Sequence, residues 1–314
     1  MKKELGIFIL LVVLCLAVSA LNPRFLAPAN LQNMARLIGA YGIFSLGLGV
    51  VIITGGIDLS VGSVFALLGV LLSLMLTSWG WPTALAVIAI LGIAMSLGAL
   101  HGVLITQLRL QPFIVTLCGL LFYRGLARFI ANDETKGFGS ATGFEWLRNF
   151  VTGNLVGVPT PFLMLVVISI VMWVVLHRSV YGRYLFAVGR NETAARYSGI
   201  NSSRIIASAY IILGLLAGIS AIVFAFYTNS VSPSSHGNFF ELYGIAAAVL
   251  GGCSLRGGEG SIVGIIIGAV LLQVLQNLVN LLGIPSSLNF AVMGAVILVG
   301  VTADQLLKRR TGQA

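Results

Sequence analysis

The feature that most constrains this chain is a succession of continuously apolar runs, many of them close to twenty residues long. A helix rising 1.5 Å per residue needs roughly 20 such residues to cross the ~30 Å hydrocarbon core of a bilayer. Strands of a membrane barrel would instead alternate in polarity over roughly ten residues, and these runs do not alternate. Ten stretches qualify: Leu5–Leu21, Ala35–Ile53, Val61–Thr77, Pro82–Thr106, Pro112–Ile130, Phe162–Leu176, Ile205–Tyr227, Phe239–Cys253, Ser261–Leu282 and Ser287–Leu306. The eighth is short and glycine-rich, which predicts a broken or re-entrant segment. Only 9% of the 314 residues are charged, where soluble domains carry about 25%. The expected fold is all-α: a single polytopic membrane domain, residues 1–314, with about ten transmembrane helices.

The net charge of +9 invites a nucleic-acid partner, but its distribution argues against one. Basic residues of membrane proteins collect at the cytoplasmic ends of helices. With the N-terminus inside, Lys2, Lys3, Arg109, Arg178, Arg183, Arg190, Arg196, Arg204, Arg256, Lys308, Arg309 and Arg310 fall on the cytoplasmic side. Arg24, Arg36, Arg124, Arg128, Lys136 and Arg148 fall outside or near the outer boundary, so the division is twelve against six. This predicts that both termini are cytoplasmic. The first run reads as a retained span anchored by Lys2 and Lys3; the alternative is a cleaved signal peptide ending at Val18-Ser19-Ala20. Cys15, Cys118 and Cys253 are far apart in or beside apolar runs and suggest neither a metal site nor a disulfide framework.

Two glycine-rich blocks interrupt the runs. In Thr54–Gly62, Gly55 and Gly56 can end a helix in a left-handed turn, and Asp58 or Ser60 can accept bonds from the first amides of the next helix. A capped helix–turn–helix and a hinge at the inner mouth of a pathway both fit Thr54, Gly55, Gly56, Asp58 and Ser60. The second block, Gly251–Gly260, lacks the Gly-Lys-Ser/Thr of a phosphate loop, as does the whole chain. It reads as a tight cytoplasmic turn. Gln273, Gln276, Asn277 and Asn280 recur at helical spacing in the ninth run; they either join helices or line a path for a polyhydroxylated solute. His101, His177 and His236 are scattered and no nucleophile–base pair is visible. Asp58, Glu241 and Asp304 lie near run ends, which counts against an ion-coupled secondary sugar carrier. The missing reactive constellation counts against a membrane-embedded enzyme. No cofactor and no metal are expected.

The basic stretch 177–204 separates two long runs. Within it Asn191 can cap a short helix through Ser198, with Glu192 in the first turn, Arg196 near the end and Gly199 as terminator. A solvated loop is the plain alternative. An ordered helix with Ala194 and Ala195 would offer a small knob for a partner to grip.

Four blocks resemble permeases of the ribose/monosaccharide ABC importer family: TGGIDLSVG at Thr54–Gly62, QPFIVTLCGLLFYRGLA at Gln111–Ala127, GRYLFAVGRNETAARYSGI at Gly182–Ile200, and ELYGIAAAVLGGCSLRGGEGSIVG at Glu241–Gly264. They occur in the family's order over most of the chain. Tyr243, Cys253 and Ile265 depart from it, standing where Asp, Thr and Thr are common. The resemblance implies a multi-pass subunit of the bacterial inner membrane, surrounded by lipid and paired as a homodimer or with a similar permease. It further implies a cytoplasmic ATPase below and an extracytoplasmic sugar-binding protein above. Gly189, Arg190, Asn191, Glu192, Ala194, Ala195, Arg196 and Gly199 would then form the element coupled to the ATPase. Phe113 and Thr116, in the second block, join the hinge and pathway candidates.

Overall fold

The longest apolar runs become helices, and α2 (Pro28–Ile53) is their hub. A computed structural model describes residues 2–139 and 141–285, with single positions at 288, 291, 292, 294, 295, 298 and 302. Besides α2, the helices in chain order are α1 (Lys2–Leu21), α3 (Val61–Thr77), α4 (Thr83–Thr106), α5 (Pro112–Ile130), α6 (Glu145–Thr152) and α7 (Thr160–His177). They are followed by α8 (Val180–Arg190), α9 (Glu192–Tyr197), α10 (Ser202–Thr228), α11 (Phe240–Leu250) and α12 (Ile262–Leu281). Among the described residues seven helices are long and apolar enough to cross a membrane (α1, α2, α4, α5, α7, α10 and α12), and α3 and α11 are shorter apolar helices. The chain is an all-α polytopic membrane protein. Most of the tenth apolar run, together with Asp304 and the basic residues Lys308, Arg309 and Arg310, lies outside the described residues.

Two small ladders pin connections rather than build a layer: β1 (Lys136–Gly137) with β4 (Ser230–Val231), and β2 (Asn154–Leu155) with β3 (Val158–Pro159). Nearby, Arg128 donates to Asp133 at 2.6 and 3.2 Å, and this bond holds the Asp133 carboxyl below the usual carboxylate range.

Two helices go beyond the sequence expectation. Helix α6 lies in the stretch 132–161, where no helix pattern stands out, and α8 precedes the short helix expected at 191–198. Both bury residues three or four apart: Leu147 and Val151 in α6; Gly182, Leu185 and Val188 in α8. Such short amphipathic patterns escape a search for runs of membrane length.

Lipid supplies no hydrophobic drive between helices, so packing relies on close backbone approach at small residues. On α2, a Cβ at Gly39 would enter the Pro161 backbone of α7, and one at Gly47 would lie 2.9 Å from Leu213 of α10. Helices α4 and α10 are joined in the same way: Gly98 lies on the Tyr210 carbonyl, Gly102 on Ala207 and Gly214 on the Ala94 carbonyl. That repeated contact packs the two helices closely along their length.

The amides of α12 divide. Asn277 is buried and exchanges two hydrogen bonds with Asn30 of α2, at 2.7 and 3.1 Å. Gln273 is buried, Gln276 half-buried and Asn280 exposed. Asn277 therefore joins helices, as intramembrane amides commonly do. Asn277→Leu should lower stability by about 1 kcal/mol, read from thermal unfolding in detergent. An equal loss in an Asn30→Leu background would show that the pair does not act as a unit.

Candidate functional site

The two glycine blocks and the basic segment 177–204 meet backbone to backbone. Helix α2 ends as expected: Gly55 takes φ +82°, its N–H donates to the Ile52 carbonyl at 2.9 Å, and the Gly56 N–H donates to the Val51 carbonyl at 3.1 Å. The next carbonyl, Ile53, accepts from the Gly258 N–H at 2.8 Å. Gly189, near the end of α8, wedges against both. A Cβ there would run into the Ile53 oxygen and stand 2.6 Å from the Gly258 nitrogen. A Cβ at Gly257 would stand 2.7 Å from the Gly189 oxygen and 2.9 Å from the Gly55 nitrogen.

Beside this junction, α9 forms where its caps place it. Asn191 Oδ1 accepts from the Ala194 N–H at 2.9 Å. Gly199 takes φ +84°, and the Ile200 N–H returns to the Ala195 carbonyl at 3.0 Å. Glu192 accepts from Ser202 Oγ at 2.9 Å, which ties α9 to the first residue of α10. Arg190 and Ala194 are exposed, and Arg196 lies 4.0 Å from Glu192 on the same exposed side. One expectation is corrected: Ala195 is not part of an outward knob but is buried, at 5% exposure. A six-residue helix held at both ends must turn one face onto its own chain, and the small side chain lets it sit close.

A cavity of about 800 Å³ opens next to α9. Its walls include Thr54, Gly55 and Gly56 from the first glycine block, Glu192, Arg196 and Gly199 from the α9 region, and Asn201, Ser202 and Ser203 at the start of α10. Arg109, Gln111 and Pro112 before and at the start of α5 face it, and so does Tyr210. The hinge and coupling candidates thus share one polar cleft. Phe113 does not line it and is exposed, whereas Thr116 is buried with its hydroxyl on the Pro112 carbonyl at 2.9 Å.

Deeper than the cleft lies a polar centre that the sequence reading missed. Asp58 Oδ1 accepts from Ser60 N and from Ser60 Oγ, each at 2.7 Å. Its Oδ2 lies 3.2 Å from His101 Nδ1, and His101 Nε2 lies 2.9 Å from Tyr123 Oη. His101 is therefore not isolated. Nor does standing at a run end keep the carboxylates out of the buried interior: Asp58 and Glu241 are 3% and 7% exposed. The reason is that α3 and α11 begin inside the bundle. Gly62 and Gly237 lie against each other there. The Glu241 carboxylate lies close against Gly62. Arg124, about 18 Å along α5 at 1.5 Å per residue, donates to the carbonyls of Gly62 at 3.2 Å, Pro233 at 3.1 Å and His236 at 2.8 Å. Irregular backbone at membrane depth needs such partners, since no water is there to replace them. The glycines of the first block were the available signal for the break before α3; the break before α11, at Gly237, lies outside both blocks.

Residues 30–301 match the family described as branched-chain amino acid transport system / permease component. The chain belongs to this permease family. The ribose import permease protein RbsC of Bacillus subtilis (strain 168) is 39% identical over 304 residues, covering 96% of this chain and 93% of that protein. RbsC of Escherichia coli (strain K12) is 38% identical, with coverage of 94% and 92%. The xylose transport system permease protein XylH of Escherichia coli (strain K12) is 31% identical, with coverage of 91% and 87%. No solved structure matches the chain. As a member of this permease family the protein is a transport component and not an enzyme. Its broken helices and buried polar centre belong to a device that moves solute rather than to one that makes bonds.

Proposed function

We infer that this chain is the transmembrane subunit of an ATP-binding-cassette importer, forming the path for a monosaccharide or similar polar solute across the bacterial inner membrane. The observation that carries the reading is the single cleft shared by α9, the Thr54–Gly56 turn and the start of α10. A partner gripping α9 there is mechanically joined to a helix break. The similarity to ribose and xylose permeases supports a sugar. A separate ATPase would bind the segment 177–204, with Glu192, Ala194 and Arg196 outermost, and a solute-binding protein would deliver the cargo from the other side. The arrangement proposed is one domain of ten spans with both termini cytoplasmic, dimeric with itself or a similar permease. ATP binding by the partner would bias the permease between outward- and inward-open states.

An ion-coupled secondary carrier is the second reading, and the buried Asp58 and Glu241 give it an argument that run positions alone denied it. Uptake into proteoliposomes with and without the ATPase subunit separates the two. ATP-dependent uptake is expected; uptake driven by an ion gradient alone would sink the importer reading. Glu192→Arg and Ala194→Trp should each lower ATP-driven uptake roughly tenfold or more, equivalent to about 1.4 kcal/mol lost at the contact. Wild-type uptake and ATPase association in both variants would refute α9 as the docking element.

A further inference from the structure

The loop between α2 and α3 is held by side chains from three other helices. Asp58 is its fixed point, bonded within the loop to Ser60 and across to His101 of α4. His101 passes the chain to Tyr123 of α5. Tyr210 of α10 donates to the Ile57 carbonyl at 3.1 Å. Asp58, His101 and Tyr123 are each 3% exposed and Tyr210 is fully buried. A neutral imidazole with its proton on Nδ1 donates to the carboxylate and accepts from the tyrosine hydroxyl, so the chain is satisfied from end to end.

We propose that Asp58, His101 and Tyr123 are positioning residues of the transport cycle: a latch that carries movement of α9 into the helices around the pathway. The proposal rests on the importer reading above. Its mechanical route is continuous. Glu192 of α9 holds Ser202 at the start of α10, and α10 is packed tightly against α4 through their glycine contacts. That pair presents Tyr210 and His101 to the loop, and Tyr123 adds α5. A hydrogen-bonded chain in a low-dielectric interior is strong when complete and costly when partly made. The loop therefore has discrete latched and released states, which is how small shifts become large rearrangements in packed interiors. The groups facing the imidazole are Asp58 from the loop, Tyr123 from α5 and Tyr210 from α10. Glu241 of α11 and Arg124 of α5 are the next charged groups beyond them.

The test uses the full permease in proteoliposomes with its ATPase subunit and binding protein, reading solute imported per ATP hydrolysed. Tyr123→Phe removes one link without leaving a void and should lower that ratio about fivefold. Asp58→Ala should lower it further. Asp58→Asn keeps an acceptor for Ser60 and turns the contact with His101 round: its NH2 donates to Nδ1 once the imidazole proton sits on Nε2 and the Tyr123 hydroxyl accepts it, so it should restore most of the ratio. Co-purification with the ATPase reports folding. A merely structural role would reduce assembly and leave the ratio of the assembled complex unchanged, and that result overturns the latch. If Asp58→Ala does not assemble, Tyr123→Phe and Asp58→Asn decide: a wild-type ratio in the first, or a ratio no better than that of Tyr123→Phe in the second, overturns it. If the wild-type complex imports nothing on ATP, the importer reading fails by itself. The latch is then read from hydrogen exchange of residues 54–60 in the purified full chain. Exchange should quicken in Tyr123→Phe, and unchanged exchange overturns the proposal.

Discussion

Gly189→Ala should cost at least about 3 kcal/mol of stability, the upper end of what overpacking one carbon produces, and should abolish uptake. The added Cβ meets the Ile53 carbonyl and the Gly258 amide, and both are backbone atoms that no rotamer change can move aside. Worse, the Gly258 N–H donates to that same Ile53 oxygen, so relieving the clash breaks the bond that joins the two glycine blocks. Gly125 of α5 is the control, since nothing lies within 4 Å of the Cβ it would gain. Gly125→Ala should be neutral or stabilising by about 0.5–1 kcal/mol through helix propensity. Thermal unfolding of both variants in detergent compares them directly. Equal midpoints would mean that the glycine junction is not tightly closed.

Arg124→Met should be as damaging for a different reason. The guanidinium serves three carbonyls, of Gly62, Pro233 and His236, where α3 and the approach to α11 leave the helical ladder. Each buried acceptor left unmade costs about 1–3 kcal/mol, so the variant should lose at least about 3 kcal/mol. Arg124→Lys should recover only part of this, because a single ammonium on a flexible stem lacks the planar fork that reaches several acceptors. The measurement is the yield and unfolding midpoint of the purified permease. A midpoint within a degree or two of wild type for Arg124→Met would show that the broken helices find other donors.

Much of the fold was legible because the bilayer imposes its requirements locally. A run of apolar residues long enough to span declares itself without reference to any other segment, and so do the caps of α9: Asn191, Glu192 and Gly199 act within one turn of the backbone. Helices α6 and α8 were not legible, since their apolar residues only make sense against the helices they cover. The same holds for the amides of α12. Spacing put Gln273, Asn277 and Asn280 on related faces, but the choice of Asn277 as the joining residue needed Asn30 opposite it.

The functional site divides along the same line. By itself the sequence determined that this is a polytopic α-helical membrane protein, where its helices break, and that a capped basic segment stands between two long runs. Those are properties of backbone propensity and solvent preference over a few consecutive residues. Only the tertiary structure decided that Gly55, Gly189 and Gly258 form one junction, that His101 answers Asp58, and that Arg124 closes the gap between two interrupted helices. These are pairings between side chains and backbone far apart in the chain. Their partners are chosen by helix packing, whose geometry no local pattern records.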